Sequence, residues 1–217
     1  MMKRESGERS FPIWVLFSPK HPINHDNWTP VLDEIQDKVY REMNNRIETT
    51  NIYFRNTVSD SRIIPNTLNW WGPEVAREIE TFREIVLEYK PKFVFSIGAF
   101  TFEFLRRVYD IKPEKGPKAW STSALGEEFE RSIENFDIYS TNIIPLLHRV
   151  GASANFIDTH NYFCRKDGEN YYRYVGAKLA EKIIENKDRL NIWINQTSVS
   201  TNATSIAPSF ISYERSS

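Results

Sequence analysis

Short unbroken apolar runs alternate with helical periodicity along this chain, and that alternation constrains the fold more than any other feature. Phe11-Pro-Ile-Trp-Val-Leu-Phe17 is a continuous apolar run and Lys92-Phe-Val-Phe-Ser-Ile97 is largely apolar, the pattern of strands covered on both faces rather than on one. Residues 47–54, rich in Thr, Ile, Tyr and Phe, and residues 136–144, halted by Pro145, read as two further strands. Between them, Thr29-Pro30 supplies an N-cap and a proline suited to a first helical turn, and Leu32, Ile35, Val39 and Met43 follow at helical spacing. Val75, Ile79, Phe82, Val86 and Tyr89 lie 4, 3, 4 and 3 apart and stop before Pro91, which predicts an amphipathic helix over 74–90. Gly98 predicts a tight turn into a helix carrying Phe100, Phe104, Leu105 and Val108, and a last helix begins near Asn170 with Tyr172, Val175, Leu179 and Ile183. The expectation is an α/β three-layer sandwich with a central, mostly parallel four-stranded sheet, helices on both faces and right-handed crossovers.

The stretch 112–134, punctuated by Pro113, Gly116, Pro117 and Gly126, reads as an extended loop or insertion. Residues 1–10 read as a polar lead-in, 11–194 as a single domain, and the Ser/Thr-rich residues 195–217 as a disordered tail. Lys and Arg number 28 against 29 Asp and Glu, a formal charge of -1. No global field therefore draws the protein onto nucleic acid or an anionic membrane, and any anionic partner must be held by a local patch. The single cysteine, Cys164, excludes an intrachain disulfide and a cysteine-built zinc or iron-sulfur site. No apolar run approaches the roughly 18 residues of a membrane span. A cytoplasmic monomer that needs no cofactor, no metal and no membrane is expected.

Parallel sheets bind ligands at the carboxyl ends of their strands, so the chemistry is sought in the loops 18–28, 51–71, 98–101 and 148–155. No glycine lies between Gly7 and Gly72, which excludes a Gly-rich dinucleotide or phosphate loop after the first strand. The absence of G-x-S-x-G argues against a serine hydrolase. The first loop offers His21, Asn24, His25 and Asp26. His21, His25 and Asp26 are metal-ligand types, but a proline-bearing loop fixes no facing geometry, and turn-forming polar residues are the plainer reading. His148 closes an apolar run and is either a hydrogen-bonded structural histidine or a catalyst, while Arg149, Ser153 and Asn155 either contact an anion or simply shape a loop. Trp70 and Trp71 are candidates to stack on a base or to pack in the core. Arg106, Arg107, Lys112, Lys115 and Lys118, offset by Glu103, Asp110 and Glu114, read as a solvated face, and Cys164 near His160 carries no cysteine-protease signature.

The order of these pieces resembles the uracil-DNA glycosylase superfamily: a strand with its catalytic loop, a strand with an Asn, a long loop, a helix, a Pro-Lys-strand-Gly-helix segment, and a strand ending in a His-bearing loop. The corresponding segments are Trp14-Val-Leu-Phe-Ser-Pro19, Thr50-Asn-Ile-Tyr53, the helix over 74–90, Lys90-Pro-Lys-Phe-Val-Phe-Ser-Ile-Gly98 and Pro145-Leu-Leu-His148. Together they cover roughly residues 13–184. The chain departs from the family pattern at the first loop, which lacks the usual glycine, and after His148, where His-Arg-Val-Gly-Ala-Ser replaces the frequent His-Pro-Ser.

The resemblance implies a hydrolase that flips an altered base, such as uracil, out of single- or double-stranded DNA and cleaves its N-glycosidic bond. It implies His148 as the donor to the departing base, Asp26 or Asn24 as the water-positioning group, and Asn51 as the residue that reads the pyrimidine edge. Phe17 would stack on the base, and Arg149 and Ser153 would hold flanking phosphate. Because the departures fall in the chemistry-bearing loops, a non-catalytic binder of a nucleobase, nucleotide or nucleic acid on the same fold is the second reading, and a small-molecule hydrolase the third.

Overall fold

The computed structural model describes residues 5–18, 25–58, 71–148, 155–166 and 168–194, with 25–27 and 155–158 as helix backbone. Its sheet has five strands, β1 (Glu5–Ser6), β2 (Ile13–Phe17), β3 (Tyr53–Asn56), β4 (Phe93–Ile97) and β5 (Asn142–Leu146), in the order β1-β3-β2-β4-β5. The last four are mutually parallel and β1 runs antiparallel to β3. The expected four-stranded sheet is thus a mixed five-stranded one. The extra strand comes from the polar lead-in, whose Glu5 and Ser6 pair with Arg55 and Phe54. Arg9 and Tyr53 both donate to the Glu5 carboxylate, at 2.7 and 2.5 Å, and fasten that lead-in to the sheet edge.

The helices are α1 (His25–Met43), α2 (Pro73–Tyr89), α3 (Ala99–Val108), α4 (Thr122–Glu134), α5 (Asn155–Cys164) and α6 (Tyr171–Glu185). One apolar layer joins Ile13, Val15 and Phe17 to Val31, Ile35 and Val39 of α1, Phe129 of α4 and Val175, Leu179 and Ile183 of α6. The other joins Trp14 and Leu16 to Val75, Ile79, Phe82 and Val86 of α2 and Phe104 and Leu105 of α3. Alternate residues of β2 therefore serve opposite layers. That is why its sequence is apolar throughout, and each large side chain so buried contributes about 2–3 kcal/mol.

Several elements differ from the sequence reading, each for a local reason. Helix α1 starts at His25, so Pro30 lies inside it instead of opening it. The β-branched run from Ile47 does not stay extended: Ile47 makes one bridge to Trp193, Thr49–Asn51 form a 3-10 turn, and the strand begins at Tyr53. Pro145 sits inside β5, at a sheet edge, where the absent N–H is not needed. The stretch read as an insertion contains α4, capped by Ser121 Oγ accepting from the Ala124 N–H at 3.2 Å and burying Leu125, Phe129 and Ile133. Its Gly126 is a packing residue: a Cβ there would lie 2.2 Å from the Phe163 carbonyl oxygen of α5. The tail 195–217 lies outside the described residues. Among the described residues, no helix is long and apolar enough to cross a membrane.

Candidate functional site

Taken alone, the parallel strands run β3-β2-β4-β5 across the sheet. β2 leads through α1 to β3 on one side, whereas β4 leads on to β5 on the other. The chain thus reverses direction between β2 and β4, and in open α/β sheets the crevice outside that reversal is where ligands bind. Phe17, Asn56, Ile97 and Leu146 end the strands at this carboxyl edge.

Asn56 is the residue the sequence reading missed. It is the register partner of Phe17 on the neighbouring strand. Its Oδ1 is buried and has no hydrogen-bond partner among the described residues. The strand ends around it are fixed, since the Phe17 carbonyl accepts from both the N–H and the Oγ1 of Thr57, at 2.9 and 3.2 Å. A buried amide oxygen without a donor is costly, and at a ligand crevice it is an acceptor held ready for an incoming N–H. An Asn at the end of a Tyr-Phe-Arg-Asn strand is visible in the sequence, but the strand's limits decide which Asn reaches the edge.

Asn51 is elsewhere. It belongs to the 3-10 turn before β3, its carbonyl accepts from the Glu8 N–H at 3.1 Å, and it lines an amino-edge groove of about 500 Å³ with Phe11, Glu48 and Trp193. The amino and carboxyl edges are separated by the strand length, about 15 Å for five residues, so Asn51 and His148 do not meet. Phe17 lies at the proper edge, but its ring is fully buried and stacked on Phe54 at 6.4 Å. A ring so covered supports the crevice from within and offers no face to a base.

His148 is half-buried two residues beyond β5. On one side it meets Gly98, which joins β4 to α3 at a φ of 88° and donates its N–H to the Leu146 carbonyl at 2.8 Å. A Cβ on Gly98 would approach the His148 Cβ to 3.2 Å, so the glycine serves both the turn and the histidine's room. Behind β5, the Leu147 N–H donates to the Tyr171 phenol oxygen at 2.8 Å. His160 stacks on the Tyr171 ring at 5.3 Å. Burial holds the His160 imidazole below its ordinary pKa and raises that of the Tyr171 phenol, so this support is uncharged near neutrality.

The remaining candidates sort by position. The backbone of Asp26 lies in the first turn of α1, at the edge where β2 ends, and its side chain is outside the description, as are Asn24, Arg149 and Ser153. The possible metal trio includes His21, also outside it. Trp71 stacks on Phe100 at 5.6 Å and lies under the Arg107 guanidinium at 3.8 Å, so it packs against α3, while Trp70 lies outside the described residues. Arg106 and Arg107 are not a solvated pair. Both approach the fully buried Glu103, which also accepts from Trp120 Nε1 at 2.8 Å and the Lys115 N–H at 2.7 Å, tying the segment after α3 to that helix. Cys164 is buried, its thiol pushed up to about 12 mainly by burial, which suits packing and not nucleophilic attack.

No family model and no curated protein matches this chain. The candidate site therefore rests on topology: Asn56 at the end of β3 and His148 just beyond β5 lie at the same carboxyl edge, on opposite sides of the β2–β4 reversal.

Proposed function

We propose that the protein is an N-glycosylase that removes uracil or a related altered base flipped out of DNA. The observation that carries this reading is the Asn56 Oδ1, unpartnered among the described residues, at the same sheet edge as His148. A carboxamide offers one acceptor and one donor group, and the N–H and adjacent carbonyl of a uracil edge are its complement, whereas cytosine presents the reverse order. Asn56 thus takes the base-reading role that the family resemblance first suggested for Asn51.

Cleavage breaks the bond between the sugar C1′ and the base nitrogen. The bonding electrons leave with the base, positive charge develops on the sugar, and a water oxygen forms the new bond to C1′ while its proton is released. His148 is the group we assign to donate toward the base oxygen that gains negative charge. Asp26, with Asn24 as the alternative, positions the water, and Arg149 and Ser153 hold the flanking phosphates. The substrate enters by base flipping, which costs least from a single strand or a mispair.

The test is base release from single-stranded and duplex oligonucleotides carrying uracil, followed by alkaline cleavage of the abasic site, with His148→Ala as control. Release that is lost in the control is expected. Binding without release would select the second reading, a nucleobase or nucleic-acid binder on the same fold, which the altered first loop and the near-neutral charge favour.

A further inference from the structure

The outer edge of β5 poses a problem that α6 solves. Leu146 points its carbonyl at β4, where Gly98 donates to it, so the peptide N–H of the next residue points off the sheet. At Pro145 that outward position has no N–H to satisfy, but at Leu147 it does, and Leu147 is buried. Its partner is the phenol oxygen of Tyr171, the first residue of α6, at 2.8 Å. The Tyr171 ring is itself fixed: His160 stacks on it at 5.3 Å, and Phe163 and Tyr172 meet it edge-on at 5.0 and 5.4 Å. Helix α6 is anchored in turn by Asn170, whose Oδ1 accepts from the Tyr172 and Arg173 N–H groups. It also packs closely on α1, where a Cβ at Gly176 would fall 2.4 Å from the Glu34 Cβ.

We propose that Tyr171 is a positioning residue for His148, its phenol oxygen holding the Leu147 peptide and so fixing the point and direction at which His148 leaves the sheet. The inference rests on the reading of His148 as the working histidine of the crevice. Gly98 limits His148 from the β4 side, and Tyr171 holds the N–H of the preceding residue, Leu147, from the α6 side. The histidine is thus aimed by two elements that touch no substrate.

The experiment follows the His148 Cε1–H resonance by NMR in the full chain, assigned with His148→Ala, alongside kinetics of base release from a uracil oligonucleotide. Three proteins are compared: wild type, Tyr171→Phe, and Val175→Ala, which trims the buried face of α6 but keeps the Tyr171 phenol. Tyr171→Phe is expected to shift or broaden the His148 resonance and to lower kcat at least tenfold with KM within twofold. Val175→Ala is expected to leave both as in wild type. A folded Tyr171→Phe with an unchanged His148 resonance overturns the proposal, as does an equal effect of Val175→Ala. If wild type releases no base yet Tyr171→Phe still moves the resonance, the glycosylase reading fails and the positioning role stands. Hydrogen exchange in wild type needs no variant: a Leu147 amide exchanging as slowly as the sheet core supports the bond, and one exchanging as fast as an exposed amide overturns it.

Discussion

Two asparagines at opposite edges of the sheet show how differently one residue type is used. Asn142, at the amino end of β5, sends its Nδ2 hydrogens to the carbonyls of Lys92, Asp137 and Ser140, at 3.0, 2.8 and 3.3 Å, and accepts from the Asp137 N–H at 2.9 Å. Asn56, at the carboxyl end of β3, leaves its buried Oδ1 with no partner among the described residues. Trp14, like Asn142, closes its polar group internally, its indole N–H donating to the Phe11 and Arg9 carbonyls. We read the carboxyl edge as the binding edge, because an unpaired buried amide is costly unless something else repays it.

The largest expected effects are on activity at the carboxyl edge. His148→Ala should cost about 10²- to 10³-fold in base release, and Asn56→Ala about 10²-fold in kcat/KM, both by steady-state assay, with urea midpoints close to wild type. The mirror experiment is Asn142→Ala, which strands several buried partners at once. It should lose about 3 kcal/mol in urea denaturation while leaving the pocket chemistry of the folded fraction intact. Gly126→Ala should cost about 2 kcal/mol, because the clash with the Phe163 carbonyl of α5 outweighs the gain in helix propensity. The smallest effect is the pH dependence from His160. Its folded pKa lies below its ordinary 6.5 because it is buried, so the unfolded chain takes up the proton first. The associated stability is fully present above about pH 6.5 and is lost as pH falls through the lower folded value. His160→Phe should flatten the urea-midpoint profile of wild type in that acid range and leave it unchanged above.

The parts of the fold legible in the sequence are those set by local pattern. Strands β2 and β4 are readable because burial on both faces makes them almost wholly apolar, Ser96 of β4 excepted, and α2 because its stripe is regular and Gly72, Pro73 and Pro91 bracket it. What was not legible depends on contacts far along the chain. Gly126 looks like a helix breaker until α5 is known to press against it. Pro145 looks like a strand end until β5 is known to be an edge. The same holds for the site. The resemblance points to Asn51, and only the register that pairs Trp14 with Tyr53 and Phe17 with Asn56 shows that Asn56 is the one at the carboxyl edge. The position of His148 just past a strand end was legible because an apolar run leads directly to it.

The most direct test of the account sets those two asparagines against each other in one assay: uracil release from a single-stranded oligonucleotide by wild type, Asn56→Ala and Asn51→Ala, each verified as folded. The account predicts release by wild type, near-complete loss in Asn56→Ala and wild-type rates in Asn51→Ala. Full activity in Asn56→Ala, or loss confined to Asn51→Ala, would contradict the carboxyl-edge site, and no release by wild type would contradict the glycosylase itself.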